Sequence, residues 1–354
     1  MLSRVADAIY WMFRYVERAE NVARFIDVNL HLMLDMPSDK STQWMPLITV
    51  TGDHEWFWAN YQVASQENVI QFLTFDSNYY NSILSCVYMA RENARSVREI
   101  ISSEMWEQVN RFYLMVRNAS GNGRAQQEPH EFFKDVKMQS HLLTGLTEVT
   151  MSHGEAWHFA RMGSLIERAD KTSRILDVKY FILLPEAEYV NTPYDSIQWA
   201  SVLKSASAFE MYRKRFHRIS PRNVAAFLIF DREFPRAIRY CVRETEESLR
   251  AITGSSPGTF ANPPERCLGR VRAELDYGDI QEVIATGLHE YLDQLQLNLN
   301  QFGSAMRTTF FGYPEAVPET AAEWGGSSLS MSTETNNCCE PPPKMTPLTG
   351  TTSE

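Results

Sequence analysis

Long apolar runs are absent from this 354-residue sequence, and no stretch reaches the roughly 18 apolar residues that a membrane-spanning helix needs. The opening segment, MLSRVADAIYWMFRYVERAEN, carries Arg4, Asp7 and Arg14 where a signal peptide would have an uninterrupted apolar region. We therefore expect a soluble, cytoplasmic protein without a membrane partner.

Cysteine and known catalytic motifs are also scarce. The five cysteines are Cys86, Cys241, Cys267, Cys338 and Cys339. Their number is odd and their spacing fits no zinc site, so we expect reduced thiols. The sequence has no P-loop, no dinucleotide-binding fingerprint and no Gly-x-Ser-x-Gly motif. A single Glu-x-x-His, from Glu155 to His158, is too little for a di-metal helical bundle. We predict neither a cofactor nor a metal site.

Basic residues are outnumbered, because 34 Lys and Arg side chains stand against 44 Asp and Glu, giving a net charge of −10. Proteins bind nucleic acids and anionic membranes mainly through clustered Lys and Arg. The composition therefore excludes a general nucleic-acid-binding surface, and only a local basic patch remains open.

Alternating apolar and polar runs with hairpin turns are missing, whereas apolar residues recur at helical spacing in most segments. This pattern predicts an all-α fold. Two long helices are expected, from about Arg4 to Asp35 and from about Glu155 to Leu184. The shorter predicted helices are Trp44 to Thr51, Asn68 to Phe75, Ser82 to Ile101, Glu104 to Asn118, Pro129 to Thr150, Ser196 to Phe216, Pro221 to Phe230, Pro235 to Ile252, Pro264 to Tyr277 and Ile280 to Phe310.

The sequence resembles itself. ERAENVARFIDV at 17–28 matches ERADKTSRILDV at 167–178, NVIQFLTFD at 68–76 matches NVAAFLIFD at 223–231, and HEFF at 130 matches HEYL at 289. The matches are collinear, with offsets of 150, 155 and 159 residues, and indicate a tandem duplication. We predict helical repeats at 1–150 and 151–312 that form one pseudo-twofold bundle with a shared core.

The composition changes after residue 312. The segment 313–354 is rich in Pro, Ser and Thr and has few large apolar residues, so it cannot bury enough surface to offset the entropy of ordering. We expect a disordered tail.

The two long helices carry the first candidate site. Glu17, Asn21, Arg24 and His31 share one face of the first helix, and the second helix repeats Glu167, Lys171 and Arg174 in the same arc. The other charged candidates near these faces are Arg18, Glu20, Arg168 and Asp170. Both copies keep the same charges in register. We therefore favour a semi-buried Glu-Arg network that joins the two halves, and the second interpretation is a polar pocket for a charged ligand. A solvated, ion-paired face is the simplest alternative.

A second candidate lies in ARENARSVREIISSEMWEQVN, residues 90–110. Arg91, Arg95 and Arg98 recur at helical spacing, with Glu92 and Glu99 as neutralising partners. Three guanidinium groups on one face suit carboxylate or phosphate. An anion site and a solvated charged face stay equally open.

Three segments, MLSRVADAIYWMFRYVERAENVARFIDV, ARENARSVREIISSEMWEQVN and GSLIERADKTSRILDV, closely resemble the bacterial alpha-E family over residues 1–312. The resemblance implies an all-helical protein that is often encoded beside circularly permuted ATP-grasp and transglutaminase-like proteins. This association implies a system that makes or cleaves amide bonds in peptides. It carries the family's charged motifs onto Glu17, Arg18, Glu20 and Arg24, onto Arg91, Glu92, Arg95, Arg98 and Glu99, and onto Glu167, Arg168, Asp170 and Arg174. One departure is Phe13, because the family tends to have Gly at this position and the second copy has Gly163. The bulky ring of Phe13 puts close helix approach, or access to a pocket, in question for the first half.

Three functions follow as hypotheses. The resemblance favours an accessory component of an ATP-grasp-linked, peptide- or amide-bond-forming system, which presents a Glu/Arg-lined surface or pocket to a partner enzyme or its peptide product. The expected partner is an ATP-grasp-type or transglutaminase-like protein, and an acidic peptide is a candidate ligand. The second hypothesis is an enzyme that uses Glu17 and Glu167 as acid and base with an arginine anion site. The third is a pure scaffold. A cleft with carboxylates facing a void would favour the enzyme, and paired, dry charges would favour the scaffold.

Overall fold

The computed structural model describes residues 1–35, 44–183 and 193–312. In these ranges the backbone forms sixteen α-helices, one short π-helix and no β-strand, which confirms the all-helical prediction. The first eight helices are α1 (Ser3–Asp35), α2 (Met45–Thr51), α3 (His54–Asn60), α4 (Gln66–Phe75), α5 (Ile83–Ser96), α6 (Ser103–Asn122), α7 (Arg124–Gln127) and α8 (Pro129–Thr150). The next eight are α9 (Glu155–Leu183), α10 (Pro193–Ser205), α11 (Phe209–Arg215), α12 (Pro221–Phe230), α13 (Ile238–Thr253), α14 (Pro263–Tyr277), α15 (Ile280–Thr286) and α16 (Leu288–Met306), and the π-helix spans Arg307–Phe311.

Several helix starts follow directly from the sequence. Ser82 and Ser102 each accept a hydrogen bond from the backbone N–H three residues later, which satisfies a donor that the first helical turn leaves unpaired. Ser220 does the same before α12, and Pro221 fills the first helical position, as the sequence predicts. These caps fix where the helices begin.

The long helices α1 and α9 pack along each other and organise the other elements. Helices α5 and α8 pack on α1, while α13 and α16 pack on α9. The short helices cross over, because α2 contacts α9 and α10 contacts α1. Buried apolar residues from both long helices, among them Ile9, Ala19, Met162 and Ala169, belong to one hydrophobic core. No helix in the described part of the chain is long and apolar enough to cross a membrane.

Gly163 lies where the backbone of α9 closely approaches the backbone of α1 at Tyr10. A Cβ atom at Gly163 would stand 2.3 Å from the carbonyl oxygen of Tyr10, well inside contact distance. The absence of a side chain therefore permits this approach. Phe13, the counterpart of Gly163 at the offset of 150, is 3% exposed and packs in the core instead.

Three predicted helices are shorter or broken. Helix α5 ends at Ser96 rather than Ile101, because the backbone leaves helical geometry at Val97 and residues 97–100 form turns. The helix expected over 196–216 is interrupted between α10 and α11 at Ser207, whose φ of +49° is left-handed. The helix expected over 280–310 breaks at Gly287, where φ is +102°, and its last turn is a π-helix.

Two further differences concern α3 and α6. Helix α3 is not anticipated by the sequence pattern. Helix α6 continues through the expected break at 120–123 and ends only at Gly123, whose φ of +69° forms a left-handed C-cap. The segment 313–354, with Cys338 and Cys339, and the expected end of the second long helix at Leu184 lie outside the described residues.

Candidate functional site

Two Glu-Arg dipeptides meet at the interface of α1 and α9, and they exchange partners. Arg168 donates to Glu17 from Nε and Nη2, over 3.0 and 2.8 Å. Arg18 donates to Glu167 from Nε and Nη2, over 2.6 and 3.0 Å. Each dipeptide thus supplies one carboxylate and one guanidinium group to a crossed pair of bidentate salt bridges, the strongest geometry for an arginine-carboxylate contact. Glu17 is 3% exposed and Glu167 is fully buried.

Further donors complete the coordination of both carboxylates. Arg14 donates to Glu167 over 2.9 Å, and the Nζ atom of Lys171 lies 3.5 Å from the same carboxylate. On the other side, Arg236 and Asn21 each donate to Glu17 over 3.0 Å. Arg236 reaches this position from the turn that leads into α13, 219 residues along the chain.

Glu20 forms a second centre, between α1 and α8. Its Oε1 atom accepts two hydrogen bonds from Arg24, over 2.9 and 2.6 Å, and another from Nη2 of Arg236. The same atom lies 3.2 Å from Nε2 of His141. Its Oε2 atom accepts from Ser140 over 2.6 Å. One carboxylate therefore serves two guanidinium groups and an imidazole ring.

Arg24 extends this centre to the surface. Its Nη1 group donates to the hydroxyl of Ser207, and its Nη2 group lies 2.9 Å from Nε2 of His141. The Arg24 side chain is 8% exposed, whereas that of His141 is 49% exposed. Arg24 thus lies just beneath an exposed rim formed by His141 and Ser207.

Asp170 occupies the matching position on α9. It accepts from Nε of Arg174 over 3.0 Å and from Lys171 over 3.1 Å. The guanidinium group of Arg174 in turn lies beside Gly52, which has a left-handed φ of +77°. Arg24 lies beside Ser207, to which it donates a hydrogen bond, and Gly52 and Ser207 are 155 residues apart.

The arginines control the ionisation of the buried carboxyl groups. Burial alone would raise the pKa of Glu167, but Arg18, Arg14 and Lys171 hold that pKa well below its ordinary value. Burial likewise opposes ionisation of Glu17 and Glu20, yet Arg168 and Arg236 lower the pKa of Glu17, and Arg236, His141 and Arg24 lower that of Glu20. All three side chains are therefore carboxylates at neutral pH.

This electrostatic arrangement predicts acid-sensitive stability. A carboxyl group with a lowered pKa stabilises the fold above its ordinary pKa, near 4.5, and loses that contribution as the pH falls through the folded-state value. The difference in unfolding free energy between the wild type and Glu167→Gln should be largest at neutral pH and shrink below about pH 4.5. Urea titrations across this pH range measure it, and a constant difference would contradict the assignment.

The structure does not form the expected arginine stripe. Arg91 donates to Asn110 over 2.7 Å and to Glu92 over 2.9 Å, and Arg95 pairs with Glu92 at 2.5 Å. Because α5 ends at Ser96, Arg98 and Glu99 lie in the following turn rather than on the same helix face. Arg98 instead stacks on Trp106, with its guanidinium carbon 4.8 Å from the ring centroid. The guanidinium groups of Arg91, Arg95 and Arg98 therefore already have partners.

The two core cysteines are buried at equivalent places. Cys86 and Cys241 are both fully buried, and burial raises the pKa of each thiol to about 12. Burial therefore disfavours the thiolate form that a cysteine nucleophile needs. Both are free thiols, as the number and spacing of the cysteines predict.

Sequence reasoning missed several members of the network. Arg236, Ser140 and His141 come from outside the long helices and carry no recognisable motif. One feature of the sequence could have pointed to Arg236. At the offset of 155 residues it corresponds to Asn81, which accepts a hydrogen bond from Arg18 over 2.5 Å. At this register the second half of the chain has an arginine where the first half has an amide.

A sequence comparison places these residues in a family. The Alpha-E family, described as a predicted alpha-helical domain with a conserved ER motif, matches residues 1–311. Both dipeptides of the crossed pair, Glu17-Arg18 and Glu167-Arg168, lie within the matched range.

Relatives include uncharacterized proteins of Mycobacterium bovis and of two strains of Mycobacterium tuberculosis. Each is 23% identical over 314 residues, which cover 82% of this chain and 34% of the relative. The chain thus spans about a third of the length of these curated relatives. No solved structure matches it. On the match over residues 1–311, the chain belongs to the Alpha-E family.

Proposed function

We propose that this chain is a non-catalytic helical component of an ATP-grasp-linked, amide-bond-forming system, in which it binds a partner enzyme or an acidic peptide. The crossed salt bridges between the two Glu-Arg dipeptides carry this proposal. In these bridges the carboxylate and guanidinium groups of both dipeptides are used to hold α1 against α9. The network then serves to fix α1, whose Arg24 side chain lies beneath the exposed rim of His141 and Ser207.

The geometry gives little support to acid-base catalysis by Glu17 and Glu167. A general acid or base works best when its pKa is near the working pH and its proton can reach the substrate. Here both pKa values are lowered, and both carboxylates are enclosed by arginines and core side chains. The enzyme hypothesis would therefore require another pair of groups.

The rim over Arg24 is the surface we assign to the ligand. Burial and the neighbouring guanidinium group of Arg236 lower the pKa of Arg24, because the two cations share the single carboxylate of Glu20. An incoming carboxylate beside Arg24, His141 and Ser207 would offset this crowding of positive charge. An acidic side chain or a peptide carboxyl terminus has the right chemistry.

The relatives also favour an accessory role. In the mycobacterial proteins the matched region makes up 34% of a longer chain, so there it is joined to further sequence. A domain that works with other protein segments needs a rigid, prearranged contact surface, and the buried network supplies rigidity to α1 and α9.

We also infer that the two halves arose by duplication and are related by a pseudo-twofold arrangement. The helices follow in two series of eight, α1–α8 and α9–α16, with the crossed salt bridges between their first members. His130 contacts Asp27 over 3.0 Å, and His289 contacts Asp177 over 2.7 Å at corresponding places. This arrangement supports the proposal that repeats 1–150 and 151–312 are two parts of one bundle.

The test combines this chain with the ATP-grasp-type protein of the same cell and follows ATP-dependent amide formation on an acidic peptide by mass spectrometry. We expect no product from this chain alone and a faster reaction when both proteins are present. His141→Ala should weaken binding of the partner or peptide by about tenfold, the effect of losing about 1.4 kcal/mol. The matched control is His153→Ala, because that side chain is 52% exposed but contacts Glu148 and Trp157 rather than Arg24 or Glu20.

Two results would overturn the proposal. The first is product formation by this chain alone. The second is loss of product in Glu17→Gln or Glu167→Gln variants whose unfolding free energy stays at the wild-type value, which would promote the enzyme hypothesis.

A further inference from the structure

Two histidines and an aspartate converge where α8 begins beside α1. Nδ1 of His130 lies 3.0 Å from Oδ1 of Asp27, and Nδ1 of His31 lies 3.7 Å from the same oxygen. The two imidazole rings are 4.1 Å apart between centroids. One potential ligand atom from each of the three residues lies within 4.8 Å of the other two. We propose that Asp27, His31 and His130 bind a divalent transition-metal ion, with Zn²⁺ as the best match.

The distances suit a metal with nitrogen and oxygen ligands. Zn²⁺ binds imidazole nitrogen and carboxylate oxygen at about 2.0–2.2 Å with tetrahedral angles, which places neighbouring ligand atoms about 3 to 3.5 Å apart. The contact of His130 with Asp27 already has this spacing, and that of His31 is close to it. Small side-chain rotations bring all three ligand atoms to bonding distance.

The helices prearrange the three ligands. Asp27 and His31 are four residues apart on α1, so they lie on the same face. His130 is the second residue of α8, and Pro129 before it occupies the first turn. The Asp27 side chain is 12% exposed, whereas those of His31 and His130 are 56% and 40% exposed. The carboxylate is thus an inner anchor and the imidazoles stay open to an ion from solvent.

Lys137 shapes the site from the other side. Its Nζ atom lies 2.6 Å from Oδ2 of Asp27, which leaves Oδ1 facing the histidines. Such a hydrogen bond to the second carboxylate oxygen orients a monodentate ligand in many metal sites. The charge of Lys137 also repels a cation, so we expect moderate rather than tight affinity. His31 would exchange its present 2.8 Å contact with the Asp27 carbonyl oxygen for the metal.

The second half of the chain provides a natural comparison. Asp177 and His289 form the equivalent contact at 2.7 Å, but residue 181, at the position of His31, is a phenylalanine. A two-ligand site binds divalent ions poorly. The proposal therefore assigns metal binding to the first half alone.

A bound ion would do two things. It would join α1 to the start of α8, next to the rim formed by His141 and Ser207. Three protein ligands also leave one position for water or for a carboxylate from a ligand, as in zinc sites with an open coordination position. This role goes beyond the proposed partner-binding function and does not depend on it.

The experiment titrates Zn²⁺ into the full chain by calorimetry and records the absorption spectrum with Co²⁺ as a probe. Cys338→Ser and Cys339→Ser are introduced first, because these adjacent thiols would bind the same metals. We expect a single equivalent of metal and a Co²⁺ spectrum without thiolate bands. His31→Phe, which copies the second half, and His130→Ala should each lower affinity by at least about tenfold, the effect of disturbing even an outer partner.

His289→Ala is the matched control and should bind metal like the parent protein. Thermal unfolding without metal tests each variant's fold, and saturating Zn²⁺ should raise the midpoint of the parent but not of His31→Phe. The proposal is overturned if the parent binds no Zn²⁺, or if His31→Phe and His130→Ala bind it as the parent does. Loss of binding in His289→Ala would also overturn it.

Discussion

Glu167→Gln is expected to lower the free energy of unfolding by about 3–5 kcal/mol, the usual effect of breaking a buried ion pair. The substitution removes the negative charge but keeps the shape of the side chain. It leaves Arg18 and Arg14, whose side chains are 10% and 15% exposed, without the carboxylate that compensates their desolvation. Urea unfolding followed by circular dichroism measures the change.

Glu131→Gln is the matched control for this prediction. Glu131 also lies on a helix and pairs with a lysine, Lys134, at 3.4 Å, but both side chains are 62% exposed. Its substitution should change stability by less than about 1 kcal/mol, as for other exposed pairs. A loss below about 1 kcal/mol for Glu167→Gln as well would remove the buried network from the account and restore the solvated pocket.

Gly163→Ala is expected to destabilise the protein by about 1–3 kcal/mol, the cost of overpacking a tight interior. In an exposed helix the same change stabilises, because alanine has the higher helix propensity. The sign is reversed here, since the new Cβ atom would lie 2.3 Å from the Tyr10 carbonyl oxygen and must push α9 away from α1. Such a shift would also stretch the crossed salt bridges one turn further along α9.

Gly145→Ala is the control, a glycine-to-alanine change that should stabilise the protein rather than destabilise it. Gly145 lies within α8, and a Cβ atom there would have no neighbour within 4 Å. This variant should gain about 0.5–1 kcal/mol. Thermal and urea unfolding of both variants measure the contrast, and a gain in stability for Gly163→Ala would show that α1 and α9 are not in close contact.

Helix bounds could be predicted wherever local chemistry fixes them. The predicted ranges of α8 and α12 agree with the structure because Pro129 and Pro221 occupy the first helical position and strong breaks follow. The pattern did not locate the interruptions at Ser207 and Gly287, which depend on left-handed backbone at single residues. Ser207 is not a residue type that signals such a conformation, and the contact with Arg24 that accompanies it comes from a distant helix.

The candidate site was predictable in composition but not in connectivity. The repeated Glu-Arg-Ala frame indicated constraint on Glu17 and Glu167, and both are buried and paired. Helical geometry within one segment gave no way to see that each glutamate takes the arginine of the other segment. The role of Arg236 was not predictable either, because a side chain from a distant turn can be placed only once the fold is known.

The histidine cluster shows the same limit. Asp27 and His31 share a helix face in the sequence, and the match between residues 130 and 289 marks His130 as a repeated position. Their meeting depends on α8 packing against α1, which no local pattern specifies. The expectation of no metal site rests on motifs within single segments, whereas the proposed cluster combines α1 and α8, and the metal titration decides between them.

If the two Glu-Arg dipeptides hold α1 and α9 together by exchanging partners, a double-mutant cycle should show coupling between residues of the two helices. Unfolding free energies are measured for Glu167→Gln, Arg18→Gln and the double variant, and the same is done for Glu17→Gln with Arg18→Gln. We expect a coupling energy of about 2 kcal/mol for the crossed pair, Glu167 with Arg18, and a much smaller one for the sequence neighbours, Glu17 and Arg18. Additive effects in the crossed pair, or stronger coupling between Glu17 and Arg18, would contradict it.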